Sequence, residues 1–207
     1  MTKLFLTSYL AEVADLIGRY EEGLEGKTVT FIPTASIPEE IDFYVNDARQ
    51  AFERLGLAVD NLDISTASIS EIENKLKNNE YIYVTGGNTF FLLQELRRSG
   101  ADKILLEQVK SGKTYIGESA GSVILSPNIA YIQEMDNADA VKGLESYEGL
   151  NLVDFYPLPH YGNQPFKDAA EHILSSFSNE INLYPCSNNQ VIAVVDGSAE
   201  LLTVEGE

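Results

Sequence analysis

Extended and helical hydrophobic patterns alternate along nearly the whole chain, and this alternation restricts the fold more than any other feature. Leu10, Val13, Leu16, Ile17 and Tyr20 recur at helical spacing. Residues 29–33 read as a strand, followed by a helix from about Pro38, where proline suits a first turn. Residues 57–64 are extended, and Ser70 with Glu73 forms a capping-box pattern ahead of a helix through Leu76. Residues 81–84 are a compact apolar strand. Asn88 can cap a helix over 90–98, Gly100 lies just past its end, and a further helix over 103–110 stops near Gly112. Residues 114–116 form a short strand that leads into Gly117-Glu118-Ser119-Ala120-Gly121, from which a helical pattern runs to about Leu125. Residues 155–158 are extended and 166–177 helical. The segments 191–195 and 201–204 flank Asp196-Gly197 as a β-hairpin.

Strands alternating with helices imply an α/β fold, a mainly parallel sheet covered by helices on both faces. With 207 residues, 44% of them hydrophobic, and no repeat or linker, one domain over 1–207 is expected. In such sheets the active site lies beyond the carboxyl ends of the strands. Two segments fall at such ends: Thr85-Gly86-Gly87-Asn88 and Gly117-Glu118-Ser119.

The net charge of −18 argues against a nucleic-acid partner, which needs a concentrated basic face. It also means that an acidic substrate would require a local cation to overcome the field of the whole protein. No apolar run approaches the length of a membrane span, and the first residues lack the pattern of a signal peptide. Cys186 is the only cysteine, which excludes an internal disulfide and a thiolate metal cluster. The expectation is a cytoplasmic protein, monomer or homodimer, that contacts neither membrane nor nucleic acid.

Gly117-Glu118-Ser119-Ala120-Gly121 fits G-x-S-x-G between a strand and a helix. There a tight turn lifts the serine hydroxyl clear of the sheet, and small neighbours leave room for a strained backbone. The amide of Ala120 would point toward a carbonyl under attack by Ser119. Of the two histidines, His160 follows an extended run and enters a loop, a strand-end position suited to a general base. His172 lies within an amphipathic helix and reads as a surface or packing residue. Gly86-Gly87 can bring a bare backbone amide to the site as a second oxyanion donor; it is not a phosphate loop, since no Lys-Ser/Thr follows.

Thr85-Gly-Gly-Asn-Thr, Gly-Glu-Ser119-Ala-Gly-Ser and Pro-His160-Tyr, in this order and spacing, resemble the aspartyl dipeptidase (peptidase E) and cyanophycinase family of serine peptidases. The resemblance covers most of the chain. It implies a three-layer α/β/α sandwich related to class I glutamine amidotransferases. It assigns Ser119 as nucleophile, His160 as its base, and the amides of Gly87 and Ala120 to the oxyanion hole. It offers two candidates for the acid behind His160: Glu134, just before Met135, and Asp196 in the late hairpin turn, with Asp196 preferred because a hairpin is the more rigid support. Dipeptidases selective for an N-terminal aspartate carry an arginine after the histidine. This chain has none there, leaving Lys167, with Asn88, as a substrate-binding candidate.

The reaction expected is hydrolysis of small peptides, with dipeptides bearing an N-terminal acidic residue as one candidate class. It would proceed through an acyl-enzyme on Ser119, without metal or cofactor. The same constellation would serve an esterase or acyl-transfer enzyme, and the same sandwich without turnover would serve a binding or regulatory protein.

Overall fold

The computed structural model describes residues 1–21 and 23–204. Five strands are parallel: β1 (Lys3–Thr7), β2 (Thr28–Ile32), β3 (Ala58–Asn61), β4 (Tyr81–Val84) and β5 (Thr114–Glu118). They join β8 (Gln190–Val195) and β9 (Ser198–Thr203) in one seven-stranded sheet of order β3-β2-β4-β5-β1-β8-β9. The last two strands are antiparallel to their neighbours, so the sheet is mainly parallel.

Side chains of the strands alternate between two cores, as the two-residue period of a strand requires. Phe5, Val29, Phe31, Tyr81, Tyr83 and Ile116 face the core shared with α1 (Leu10–Tyr20) and α2 (Phe43–Arg54). Leu4, Leu6, Ile32, Ile82, Val84 and Tyr115 face the opposite core. Helices α3 (Ile69–Asn78), α4 (Thr89–Ser99), α5 (Ala101–Lys110), α6 (Ala120–Val123) and α7 (Lys167–Phe177) supply that side. The result is the three-layer α/β/α sandwich that the alternation implied, with central strands buried on both faces.

Four local expectations are corrected. The helix expected from Pro38 starts at Phe43. The carbonyl of Ala35 accepts from the Asn88 amide at 2.8 Å, so the chain after β2 is drawn across the end of β4 before it can turn into α2. Residues 37–42 thereby become an exposed strap that leaves Ile37 and Ile41 in solvent. The cap of α3 is Ser68, whose hydroxyl accepts from the Glu71 amide at 3.3 Å, and not Ser70. The extended stretch 57–64 contributes only β3, at the sheet edge. The extended segment at 155–158 supplies β6 (Tyr156–Leu158), which leaves the main sheet and pairs with β7 (Leu183–Pro185) in a small parallel sheet of its own.

The hairpin of β8 and β9 closes as expected. Asp196 and Gly197 both have positive φ, 48° and 83°, as a tight two-residue turn demands. The direction of β8 decides what the hairpin can reach. Val195 pairs with Lys3 at the amino end of β1, whereas Val191 pairs with Thr7 at its carboxyl end.

Candidate active site

Ser119 stands between β5 and α6 with φ 47° and ψ −106°, a conformation that costs an L-residue on the order of 1–3 kcal/mol. Its surroundings enforce it. The Ser119 amide donates to the Thr7 carbonyl at 2.9 Å, and its carbonyl accepts from Ser122 and Val123. The motif glycines are explained by contact. A Cβ on Gly121 would lie 2.2 Å from the Val84 carbonyl oxygen, and one on Gly117 would lie 2.4 Å from the Gly121 carbonyl oxygen. Only bare backbone lets α6 approach β4 and β5 this closely.

His160 follows β6 and is held on every side. Its backbone, at φ 59°, is left-handed. Its amide donates to Ser8 Oγ at 3.0 Å, and Ser8 in turn donates to the Cys186 carbonyl at 2.8 Å. Phe166 stacks on the imidazole with ring centroids 4.8 Å apart. Nε2 lies 3.0 Å from Ser119 Oγ and Nδ1 lies 2.9 Å from Asn188 Oδ1. A carboxamide oxygen only accepts, so Nδ1 carries the ring proton and Nε2 presents its lone pair to the serine hydroxyl. Burial, against a smaller opposing effect of the Asn188 hydrogen bond, pushes the His160 pKa below the ordinary imidazole value. The neutral form, the one able to take a proton, is thereby favoured.

Neither acid expected behind His160 occupies that place. Asp196 sits at the amino end of β1, where its carboxylate accepts from the Thr2 amide at 2.8 Å. Because β8 runs antiparallel to the strand that ends before Ser8, its start reaches the active-site edge and its hairpin turn reaches the opposite one. Asn188 belongs to that start, in the loop between β7 and β8, and its amide donates to Asn163 Oδ1 at 2.9 Å. Glu134 instead pairs with Nδ1 of His172 on the surface. Reasoning that demanded a carboxylate passed over Ser187-Asn188-Asn189. The available signal was a run of polar residues just ahead of the strand at 191–195, at the edge where His160 also lies.

Gly87 and Ala120 flank the serine from adjacent strand ends. Gly87 has φ 129°, and a Cβ there would lie 2.1 Å from the Ala35 carbonyl oxygen, so the position accepts glycine alone. Ala120 is the first residue of α6, whose opening amides lack a carbonyl one turn back. Asn88 lines the same cleft, but its side chain is committed: Oδ1 accepts from the Phe91 amide at 2.9 Å and Nδ2 donates to the Asn137 carbonyl at 3.0 Å. Lys167 does not line the cleft and faces Glu171 at 3.9 Å on α7.

The cleft around Ser119 has a volume of about 710 Å³, and residues 38–41 of the strap and Phe166 form part of its lining. Its charged lining is acidic: Glu12, Glu39, Glu40, Glu118 and Asp136, with neither lysine nor arginine among the lining residues. Glu118, 2% exposed, is pushed up to about 8 by burial, and Asp136 to about 6 for the same reason.

The model of peptidase family S51 matches residues 3–202. An uncharacterized peptidase of Listeria monocytogenes is 55% identical over 94% of this chain and 95% of its own length. One from Pasteurella multocida is 51% identical over 94% of each. Peptidase E of a Nostoc species is 33% identical over 68% of this chain and 55% of its own length. The crystal structure of a Listeria monocytogenes EGD-e protein, assigned there as a candidate peptidase E, is 52% identical. It superposes with a TM-score of 0.95 over 99% of this chain and all of its own. Matched over nearly its whole length, the chain belongs to peptidase family S51 and is a serine peptidase.

Proposed function

We propose that the protein hydrolyses short peptides through an acyl-enzyme on Ser119, with His160 as general base and acid and Asn188 fixing the imidazole. The observation that carries this reading is the continuous relay from Ser119 Oγ to His160 Nε2, and from His160 Nδ1 to Asn188 Oδ1, at 3.0 and 2.9 Å. His160 takes the hydroxyl proton as Oγ bonds to the carbonyl carbon. The amides of Gly87 and Ala120 receive the oxyanion. The protonated His160 then gives its proton to the leaving nitrogen as the C–N bond breaks. Water attacks the ester, His160 accepts a proton from it, and Ser119 recovers its hydroxyl when the ester bond opens.

An asparagine does part of an aspartate's work. It holds the productive tautomer and ring orientation, and it adds no charge to stabilise the imidazolium. A cleft of about 710 Å³ suits short substrates such as dipeptides better than folded proteins. The test is labelling with a fluorophosphonate, read by mass spectrometry together with peptide hydrolysis. Modification at Ser119 that abolishes hydrolysis supports the reading. Full hydrolysis by a Ser119→Ala preparation overturns it.

A further inference from the structure

Beside the nucleophile the cleft is walled by Tyr44 and by carboxylates. Tyr44 Oη is buried and makes no hydrogen bond among the described residues. Tyr44 lines the cleft next to the nucleophile: a Cβ on Gly86 would lie 3.3 Å from the Ser119 Cβ and 3.5 Å from the Tyr44 ring. Burial, followed by the negative charges of Glu39, Glu118, Asp42 and Asp136, holds this phenol's pKa above the usual tyrosine value. Tyr44 Oη itself is closed off, with no surface that an ammonium could reach, while the carboxylates of Glu39 and Asp136 line the same cleft and could share a cation.

We propose that the acyl-side end of the cleft recognises positive charge, taking peptides with a free N-terminal ammonium and a basic or neutral first residue and rejecting those that begin with aspartate or glutamate. The carboxylates of Glu39 and of Asp136, whose Oδ2 already accepts from the Thr89 amide and hydroxyl, are its specificity-determining groups. This rests on the acyl-enzyme reading above.

Among the described residues, a substrate carboxylate entering the cleft would meet five carboxyl groups of the lining and find no lysine or arginine in it. Lys167, the one cation that sequence suggested, stands outside. A low-dielectric cleft lined by one sign of charge also focuses the field, which adds to the attraction of the chain's net charge of −18. A bound ammonium would return Glu118 and Asp136 toward their ionised forms, so that ligand charge and site charge rise together.

The experiment separates recognition from turnover. Calorimetry on Ser119→Ala with Lys-Leu, Leu-Leu and Asp-Leu reads binding alone. Like-charge juxtaposition costs several kcal/mol, so Lys-Leu should bind at least about tenfold tighter than Asp-Leu. Raising salt should shrink that ratio, because part of the site is open to solvent. Glu39→Gln in the same background should shrink it too, and a ratio taken within one preparation is insensitive to partial unfolding. Tyr44→Phe is the control and should leave the ratio unchanged, because Tyr44 Oη is closed off from the cleft and makes no hydrogen bond among the described residues. Asp-Leu binding as tightly as Lys-Leu, no binding of any dipeptide, or a ratio indifferent to both salt and Glu39→Gln overturns the proposal. If Lys-Leu binds as expected and the unaltered enzyme does not cleave it, the hydrolytic reading fails and the recognition stands.

Discussion

The imidazole of His160 donates from Nδ1 to the carboxamide of Asn188, 2.9 Å away, and among the described residues no carboxylate takes that place. Replacing Asn188 by alanine frees the ring to rotate or change tautomer. Turnover should then fall by about 10²- to 10⁴-fold, with KM changed much less. Asn188→Asp should behave differently. A carboxylate favours the imidazolium, so the His160 pKa rises and the acid limb of kcat/KM moves to higher pH. A pH profile of both variants checks this; an unmoved limb in Asn188→Asp would mean that Asn188 does not act through the imidazole.

The unaltered enzyme should keep its base deprotonated to lower pH than an exposed histidine would. Burial lowers the folded-state pKa of His160 below the ordinary 6.5, so the acid limb should fall below that value. For stability the sign follows from the same direction. The folded state binds its proton less readily than the unfolded chain does, so the contribution is present above the unfolded pKa. It is lost as pH falls through the window from 6.5 down to the folded value. An imidazole titration followed by NMR reports this pKa directly, and a value above 6.5 would contradict the geometry.

Glu118 should act in the opposite sense. Burial raises its folded pKa to about 8 from an ordinary 4.5, and Tyr83 donates a hydrogen bond to it. The folded state retains this proton, so stability declines as pH rises from about 4.5 to about 8. Glu118→Gln keeps the shape and removes the titration. Between pH 6 and 8.5 the melting temperature of the parent should drop relative to that of Glu118→Gln. Parallel pH curves would show that Glu118 is not the titrating group.

Asp196→Asn and Glu134→Gln should both leave kcat within about twofold, since neither side chain touches His160 and surface changes of this kind are worth about 0.5 kcal/mol. Steady-state kinetics on the pair is sufficient. A collapse of kcat in either would require a rearrangement that brings that acid to the imidazole.

The contrast between Asn188 and Asp196 shows where sequence reasoning stops. The α/β alternation, the elbow at Ser119 and the strand-end position of His160 are local properties, written in periodicity and in small residues, and all were legible. The direction of β8 is not local. Asp196-Gly197 announces a tight turn in any hairpin, but which edge of the sheet the turn faces depends on whether β8 runs with or against β1. That is settled by pairing across nearly two hundred residues. Once β8 is antiparallel, the residues ahead of it reach the active site and those after it cannot. The strap at 37–42 escaped for a similar reason. Pro38 is locally compatible with a helix start, and the long-range bond between the Asn88 amide and the Ala35 carbonyl overrides it. The acidic lining of the cleft was invisible as a feature because Glu12, Glu39, Glu118 and Asp136 come from four separate segments.

The spacing of the elbow glycines makes a last, purely mechanical prediction. Gly121→Ala would place a methyl group 2.2 Å from the Val84 carbonyl oxygen, in backbone that carries the nucleophile on one side and β4 on the other. Neither partner can yield without moving a strand or the turn at Ser119. Overpacking of this kind costs about 1–3 kcal/mol even where side chains can relax, and here the contact is backbone to backbone. For a chain of this size the melting temperature should fall by roughly 5–10 °C. Gly162→Ala is the control. Unlike Gly121 it has a positive φ, 77°, but among the described residues no atom lies within 4 Å of the added carbon, so it bears only the left-handed backbone cost of about 1 kcal/mol. Thermal unfolding followed by circular dichroism distinguishes the two. Equal losses in both variants would mean that α6 does not need its close approach to β4. The strained turn at Ser119 would then be held by its hydrogen bonds to Thr7, Ser122 and Val123 alone.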